Sequence, residues 1–225
     1  MRPDRLLAHL LTSDPARPRV TYYDDTEGPT RGERIELSAK VVGNWVNKAA
    51  NLLQEEFDAG PGTRVALLLP AEHWRTVYWA LAVWSVGATV ASTDGDVVIG
   101  VAGEQVGSAG APDIAVTLAA LARQASAPTG TALDEAKELA TYGDRFTPWA
   151  TADDDAPALV TGDGTWSYGD LVEAAPTARR FVTGDLPSVL RSVASSFAAD
   201  GSVVLVRNAD PATLAQRLSA EGVDA

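Results

Sequence analysis

The turn Thr161-Gly162-Asp163-Gly164-Thr165 sets glycines and hydroxyls between a predicted buried strand and a predicted helix. In that place backbone N–H groups and a helix N-terminus can cradle a phosphate. Two features work against it. No lysine or arginine occurs from Ala158 to Glu173, and Asp163 puts a carboxylate where the phosphate would lie. Like charges about 4 Å apart repel by roughly 4 kcal/mol at an effective dielectric of about 20. The competing reading is a plain tight turn.

A second polar cluster, Ser92-Thr93-Asp94-Gly95-Asp96, follows a predicted parallel strand. Ligands of open α/β sheets gather at strand carboxyl ends, where Asp94 and Asp96 can hold magnesium or a ligand. The alternative is a turn whose side chains bond their own backbone. Trp74, Tyr78, Trp79 and Trp84 make one helix apolar nearly all round. Such a helix is buried between layers or at a subunit interface, and Trp74 and Tyr78 share the face such an interface would use. His73 lies beside Glu72, but consecutive helical residues diverge by roughly 100°, so no dyad forms and His73 reads as a surface residue. No serine and histidine are placed for nucleophilic catalysis.

The elements that must position these groups alternate. Leu6, Leu7, Leu10 and Leu11 form one face of a first helix, ended by Asp14-Pro15. Residues 20–23 and 34–37 read as a strand pair across a polar loop. Ser38 caps a helix to Phe57 whose Val41, Val42, Trp45, Ala49, Leu52 and Leu53 recur at helical spacing. Residues 64–69, 71–86 and 89–92 then read as strand, helix and strand, a parallel crossover. Strands are predicted at 97–101, 113–117, 158–161 and 203–206. Helices are predicted at 118–123, 133–140, from Ser167 past Pro176, at 187–197 and from Asp210-Pro211 to about Ala220. Residues 124–156 read as a linker ending in the solvated run Asp153-Asp154-Asp155. The fold class is α/β.

With 225 residues the chain holds one large domain or two small ones. Its net charge of −12 argues against binding nucleic acid or an anionic membrane surface. It has no cysteine and only two histidines, which removes disulfides, thiolate zinc sites and thiol nucleophiles. No apolar run is long enough for a membrane span, and the N-terminal apolar stretch is too short for a signal peptide, so a cytoplasmic protein is expected.

The order of segments is similar to a known family. Gly60-Pro61-Gly62-Thr63-Arg64 followed by Val65 to Pro70, then Trp74, then Ala80 to Val90, resembles the N-terminal domain of the adenylate-forming superfamily. These are the AMP-binding acyl-CoA synthetases, luciferases and peptide-synthetase adenylation domains. The resemblance spans nearly the whole chain and is specific around residues 60–92. It implies two interleaved lobes of mostly parallel sheet flanked by helices, residues 61–184 and residues 1–60 with 185–225. Thr161, Gly162 and Gly169 match the family's phosphate loop, whereas Ser167 and Tyr168 stand where its proline and phosphate-contacting lysine belong. The chain stops at Ala225, short of the family's adenine and ribose contacts, magnesium glutamate and C-terminal lysine domain.

Adenylation needs cations and oriented hydroxyls against the charge developing on the α-phosphate. The resemblance therefore implies a shortened, degenerate relative that does not adenylate and instead binds a nucleotide, an acyl-type molecule or another small ligand between its lobes. ATP or AMP with magnesium is the cofactor it would carry. Two other functions compete: an interaction module that forms homo-oligomers through Trp74 and Tyr78 and the 187–197 helix, and an ATP-dependent ligase using Asp94, Asp96 and Asp163 around magnesium.

Overall fold

The computed structural model describes residues 1–105 and 111–223. Helix α1 (Leu6–Ser13) leads into strand β1 (Pro18–Asp24), which pairs antiparallel with β2 (Arg34–Ser38). Ser38 then caps α2 (Ala39–Phe57), its side chain accepting from the Val41 N–H at 3.3 Å. Strand β3 (Arg64–Leu68), helix α3 (Trp74–Ser85) and strand β4 (Thr89–Ala91) form the anticipated parallel unit. Gly87 ends α3 at φ +83°, a left-handed conformation in which the Gly87 and Ala88 N–H groups close on Trp84 and Val83.

Strands β5 (Val97–Val101), β6 (Ile114–Val116) and β7 (Leu133–Asp134) follow, with the short helix α4 (Glu135–Glu138) directly after β7. Strands β8 (Pro157–Thr161) and β9 (Gly164–Ser167) form a hairpin. The chain then runs through β10 (Arg179–Val182), α5 (Leu186–Ala198), β11 (Ser202–Arg207) and α6 (Pro211–Ala220).

Two sheets result, of order β10-β11-β1-β2 and β7-β6-β5-β3-β4-β8-β9, with antiparallel pairing only at β2 and β9. Helix α3 touches β1 of the smaller sheet and β3 and β4 of the larger, as well as α2 and α5. Every residue from Trp74 to Trp84 is consequently buried, and a single apolar core runs through both sheets. This is why α3 carries apolar residues on all sides.

Three expectations differ. Residues 118–123 form no helix, and Leu121 is 93% exposed, because no element covers that side of the segment. No helix starts at Ser167 either; residues 168–178 form a bend and an extended run. Strand β10 lies in the smaller sheet, although the expected lobe boundary placed residues 179–184 with the larger one. Among the described residues, no helix is long and apolar enough to cross a membrane.

Candidate functional site

The phosphate-loop-like residues lie on the β8–β9 hairpin. Thr161 faces Gly164 across the ladder, so Gly162 and Asp163 are a two-residue turn joining two strands. The helix N-terminus on which the phosphate reading depended is not there. Thr165 is exposed, and Gly169 sits beyond β9, where its N–H donates to the Asp154 carbonyl at 2.8 Å. Tyr168 is turned into the core, its hydroxyl donating to the Ala88 carbonyl at 2.7 Å.

Asp96 is a structural clasp. Its carboxylate accepts the Arg64 N–H at 2.8 Å and its own N–H donates to the Arg64 carbonyl at 2.7 Å. This fixes Asp96 at the start of β3, whereas Asp163 lies past the carboxyl end of β8, a strand parallel to β3 through β4. The three aspartates do not converge. Among the described residues, no group of three or more His, Asp or Glu could hold a metal ion. With no cation on the hairpin and no carboxylate cluster beside it, these residues do not fit magnesium and a nucleotide's phosphates.

Gly95 lets this loop pass β3, since a Cβ there would lie 2.5 Å from the Ala66 nitrogen and 2.8 Å from the Arg64 carbonyl oxygen. Both are strand backbone and neither can yield cheaply. Gly95→Ala is expected to destabilise the protein by about 1–3 kcal/mol in urea denaturation. An unchanged midpoint would show that the loop has room to lift.

Trp74 and Tyr78, read from sequence as either core or an interface face, are buried inside the chain. The reason is α2: Trp45 packs edge-on to Trp74 at 5.6 Å and stacks on Tyr78 at 5.5 Å. The same contact encloses a charged centre invisible to local sequence reading. Arg75 and Glu135 have side chains 2% and 0% exposed, with Nη1 of Arg75 2.7 Å from Oε1 of Glu135. Arg75 also donates to the Ala119 carbonyl at 3.2 Å and lies 4.5 Å above the Trp74 ring. The Tyr78 hydroxyl donates to the same Glu135 oxygen. Burial pushes Glu135 up, with Arg75 and the Tyr78 hydroxyl pulling against it. Burial likewise holds the Tyr78 hydroxyl well above its usual range, reinforced by the Glu135 charge, so it stays a donor.

His73 is also corrected, from surface to core. It is fully buried and is the N-cap of α3, Nδ1 accepting the Arg75 N–H at 3.1 Å. Its ring lies 4.6 Å from that of Tyr22, whose hydroxyl donates to Asp24 at 2.9 Å. Burial depresses His73 to about 3, with Arg75 and Arg207 adding to the effect and Asp24 opposing it. Asp24 is held below the usual carboxylate range despite its burial, because Thr26 and Tyr22 donate to it.

Over the Arg75–Glu135 pair opens a cavity of about 390 Å³ between α2 and α4, lined by Val41, Trp45, Ala136 and Leu139 with Asn44, Lys48 and Asp144 among its polar groups. Part of its wall is a strap that had read as linker. Asn47 donates to the Asp144 carbonyl at 2.7 Å, Asn51 to those of Gly143 and Arg145, and Gln54 to that of Thr147. The signal for this was present: three amides at i, i+4 and i+7 mark a polar stripe on α2, spaced to zip an extended segment.

No protein-family model matches the chain. It is 33% identical over 238 residues to a protein of Mycobacterium tuberculosis described as a TIGR03089 family protein, covering 97% of this chain and 94% of that one. Among solved structures, an acyl-CoA synthetase of Brucella canis superposes with a TM-score of 0.77 at 12% identity, over 99% of this chain and 46% of that one. The N-terminal domain of FACL13 from Mycobacterium tuberculosis gives 0.67 at 15% identity, over 99% and 61%. A nonribosomal peptide synthetase bound to alpha-methyl-L-serine-AMP gives 0.69 at 17% identity, over 99% and 26%. The chain thus spans about half of the acyl-CoA synthetase, and the shared fold is that of the N-terminal domain of these enzymes. Near-complete mutual coverage with the mycobacterial protein shows the family directly: this chain belongs to the TIGR03089 family.

Proposed function

We propose that this protein is a non-catalytic binding module on the fold of the adenylate-forming enzymes, holding a small acyl-type ligand in the cavity between α2 and α4. The ligand class is a carboxylic acid or its amide with a short apolar body. The observation that carries this reading is the cavity itself: about 390 Å³, walled by the Trp45 indole and aliphatic side chains, with Asn44, Lys48, Asp144 and the Arg75–Glu135 pair as its polar groups. Ligand sites are typically apolar clefts of this size with a small number of placed polar groups.

Lys48 is engaged with the carbonyls of Ala140 and Tyr142 and with the Asp144 carboxylate, at 3.0 Å. Asp144 is mostly exposed, so a ligand carboxylate can replace it at Lys48 at little cost. The absence of adenylation chemistry is supported by the hairpin, where Asp163 is the charged group at the turn and no cation is near in sequence. Burial of Trp74 and Tyr78 within the chain favours a ligand-binding reading over an interaction module built on that face.

Calorimetric titration with straight-chain carboxylates of increasing length, their amides, ATP and AMP tests the reading. A carboxylate or amide is expected to saturate with a dissociation constant below about 1 mM, equivalent to roughly −4 kcal/mol. Trp45→Ala is expected to weaken it about tenfold. Saturable ATP or AMP binding with no acid binding would overturn the proposal.

A further inference from the structure

A second concavity, of about 260 Å³, lies between α5 and residues 173–175 and has a different chemistry. Ser188, Arg191, Ser192 and Ser195 line it from one face of α5, at spacing i, i+3, i+4 and i+7, while Val189, Leu190, Val193 and Phe197 are buried on the other. Arg180 completes the wall from β10, where strand alternation sends it to the side opposite Arg179. Arg179 is occupied with Glu221, and the neighbouring Asp185 caps α5 by accepting the Ser188 N–H at 3.0 Å. Arg180 forms no ion pair or hydrogen bond among the described residues, and neither does the Ser192 hydroxyl.

Arg191 is held ready. Its guanidinium lies 4.9 Å above the Trp166 ring and pairs with Glu173, while its Nε is buried without a partner. Glu173 is the anion now in the groove, anchored through its N–H to Ser195 Oγ at 3.1 Å, with its carboxylate largely exposed. Two guanidiniums and free hydroxyls converging in one concavity reverse, locally, the sign of a chain whose net charge is −12.

We infer that this groove binds a phosphoryl group, with Arg180 and Arg191 as its charge partners, Ser192 and Ser195 as hydroxyl donors, and the Glu173 carboxylate as the internal anion it displaces. Arginine is suited to this because its planar fork matches phosphate oxygens in pairs. The site is independent of the cavity between α2 and α4.

The full chain is titrated with inorganic phosphate and, separately, with glycerol 3-phosphate, against sodium chloride at matched ionic strength. Trp166 fluorescence and calorimetry are the readouts, with Trp166→Phe identifying the fluorescence signal. Saturable binding of either phosphate species and no response to chloride are expected. Tighter binding of glycerol 3-phosphate would identify a phosphomonoester as the ligand, and equal binding would identify free phosphate. Arg180→Gln is expected to weaken binding about tenfold, equivalent to roughly 1.4 kcal/mol, with an unchanged thermal midpoint. Glu173→Gln is expected to tighten it by removing the competitor. No saturable response to either species, or unchanged affinity in both variants, would overturn the inference.

Discussion

Arg75→Met is expected to destabilise the protein by about 3–5 kcal/mol, because it leaves the Glu135 carboxylate buried without its cation. Glu135→Leu is expected to cost a similar amount by leaving Arg75 uncompensated. The size follows from the surroundings. The guanidinium is 2% exposed and packed against the Trp74 and Trp45 rings, the Ala119 carbonyl and the Tyr78 hydroxyl, so solvent offsets little of the lost pairing. A domain is stable by only about 5–15 kcal/mol, so either single variant removes a large fraction of the total.

The double variant separates pairing from mere packing. Replacing both members of a buried ion pair by apolar residues of similar volume is often neutral, since their desolvation then disappears together. Arg75→Met with Glu135→Leu is therefore expected to recover most of the loss, with a coupling of at least about 2 kcal/mol in a urea-denaturation double-mutant cycle. Simple additivity would show that the two charges are not mutually dependent. The pair also joins α3 to α4 under the cavity, so the single variants are expected to loosen the cavity wall as well.

Much of this fold is legible where the information is local. Ser38 and the apolar spacing of α2 define that helix, and the run from Arg64 to Val90 defines a parallel unit without reference to anything else. What escapes is what only a distant partner explains. Strand β10 begins with Arg179-Arg180, which carries no local strand pattern; it is a strand because β11 pairs with it and Glu221 takes Arg179. The opposite error occurs at residues 118–123, where Leu118 packs against the core but Leu121, three residues on, finds no element to cover it.

The site divides in the same way. The Gly162–Asp163 turn was legible as a turn, but its successor was misread as a helix because Ser167 resembles a cap; Ser167 bonds Asp170 in a bend instead. Arg75 and Glu135 stand 60 positions apart, and nothing in either neighbourhood announces the other. His73 shows the same limit: its charged neighbours in sequence suggest solvent, whereas Tyr22 and Trp74 surround it in space.

That burial makes His73 the source of a pH dependence. With the folded-state value near 3 and the unfolded imidazole near 6.5, the unfolded chain binds the extra proton across the whole interval between them. Stability is therefore complete above about pH 6.5 and falls as pH drops, by about 1.4 kcal/mol per unit and roughly 4–5 kcal/mol by pH 3. The groups facing His73 do not cancel this. Arg75 stays charged throughout, and Asp24, held below its usual range, titrates only at the acid end, where its protonation removes further stability. Burial raises Glu33 and Glu135, which gives a contribution of opposite sign as they take up protons in the folded state first. The range from pH 5 to 6.5 is therefore the one to compare between variants. His73→Asn keeps a side chain able to cap α3 through the Arg75 N–H and removes the titration. At pH 8 it is expected to be less stable by about 1–3 kcal/mol, from the lost packing on Tyr22 and Trp74. The deficit is then expected to shrink with each step toward pH 5 in urea denaturation, because only the parent protein must keep a histidine neutral. Parallel stability profiles for the two proteins would mean that His73 takes up its proton within the fold, and that the core around Tyr22 admits the charge.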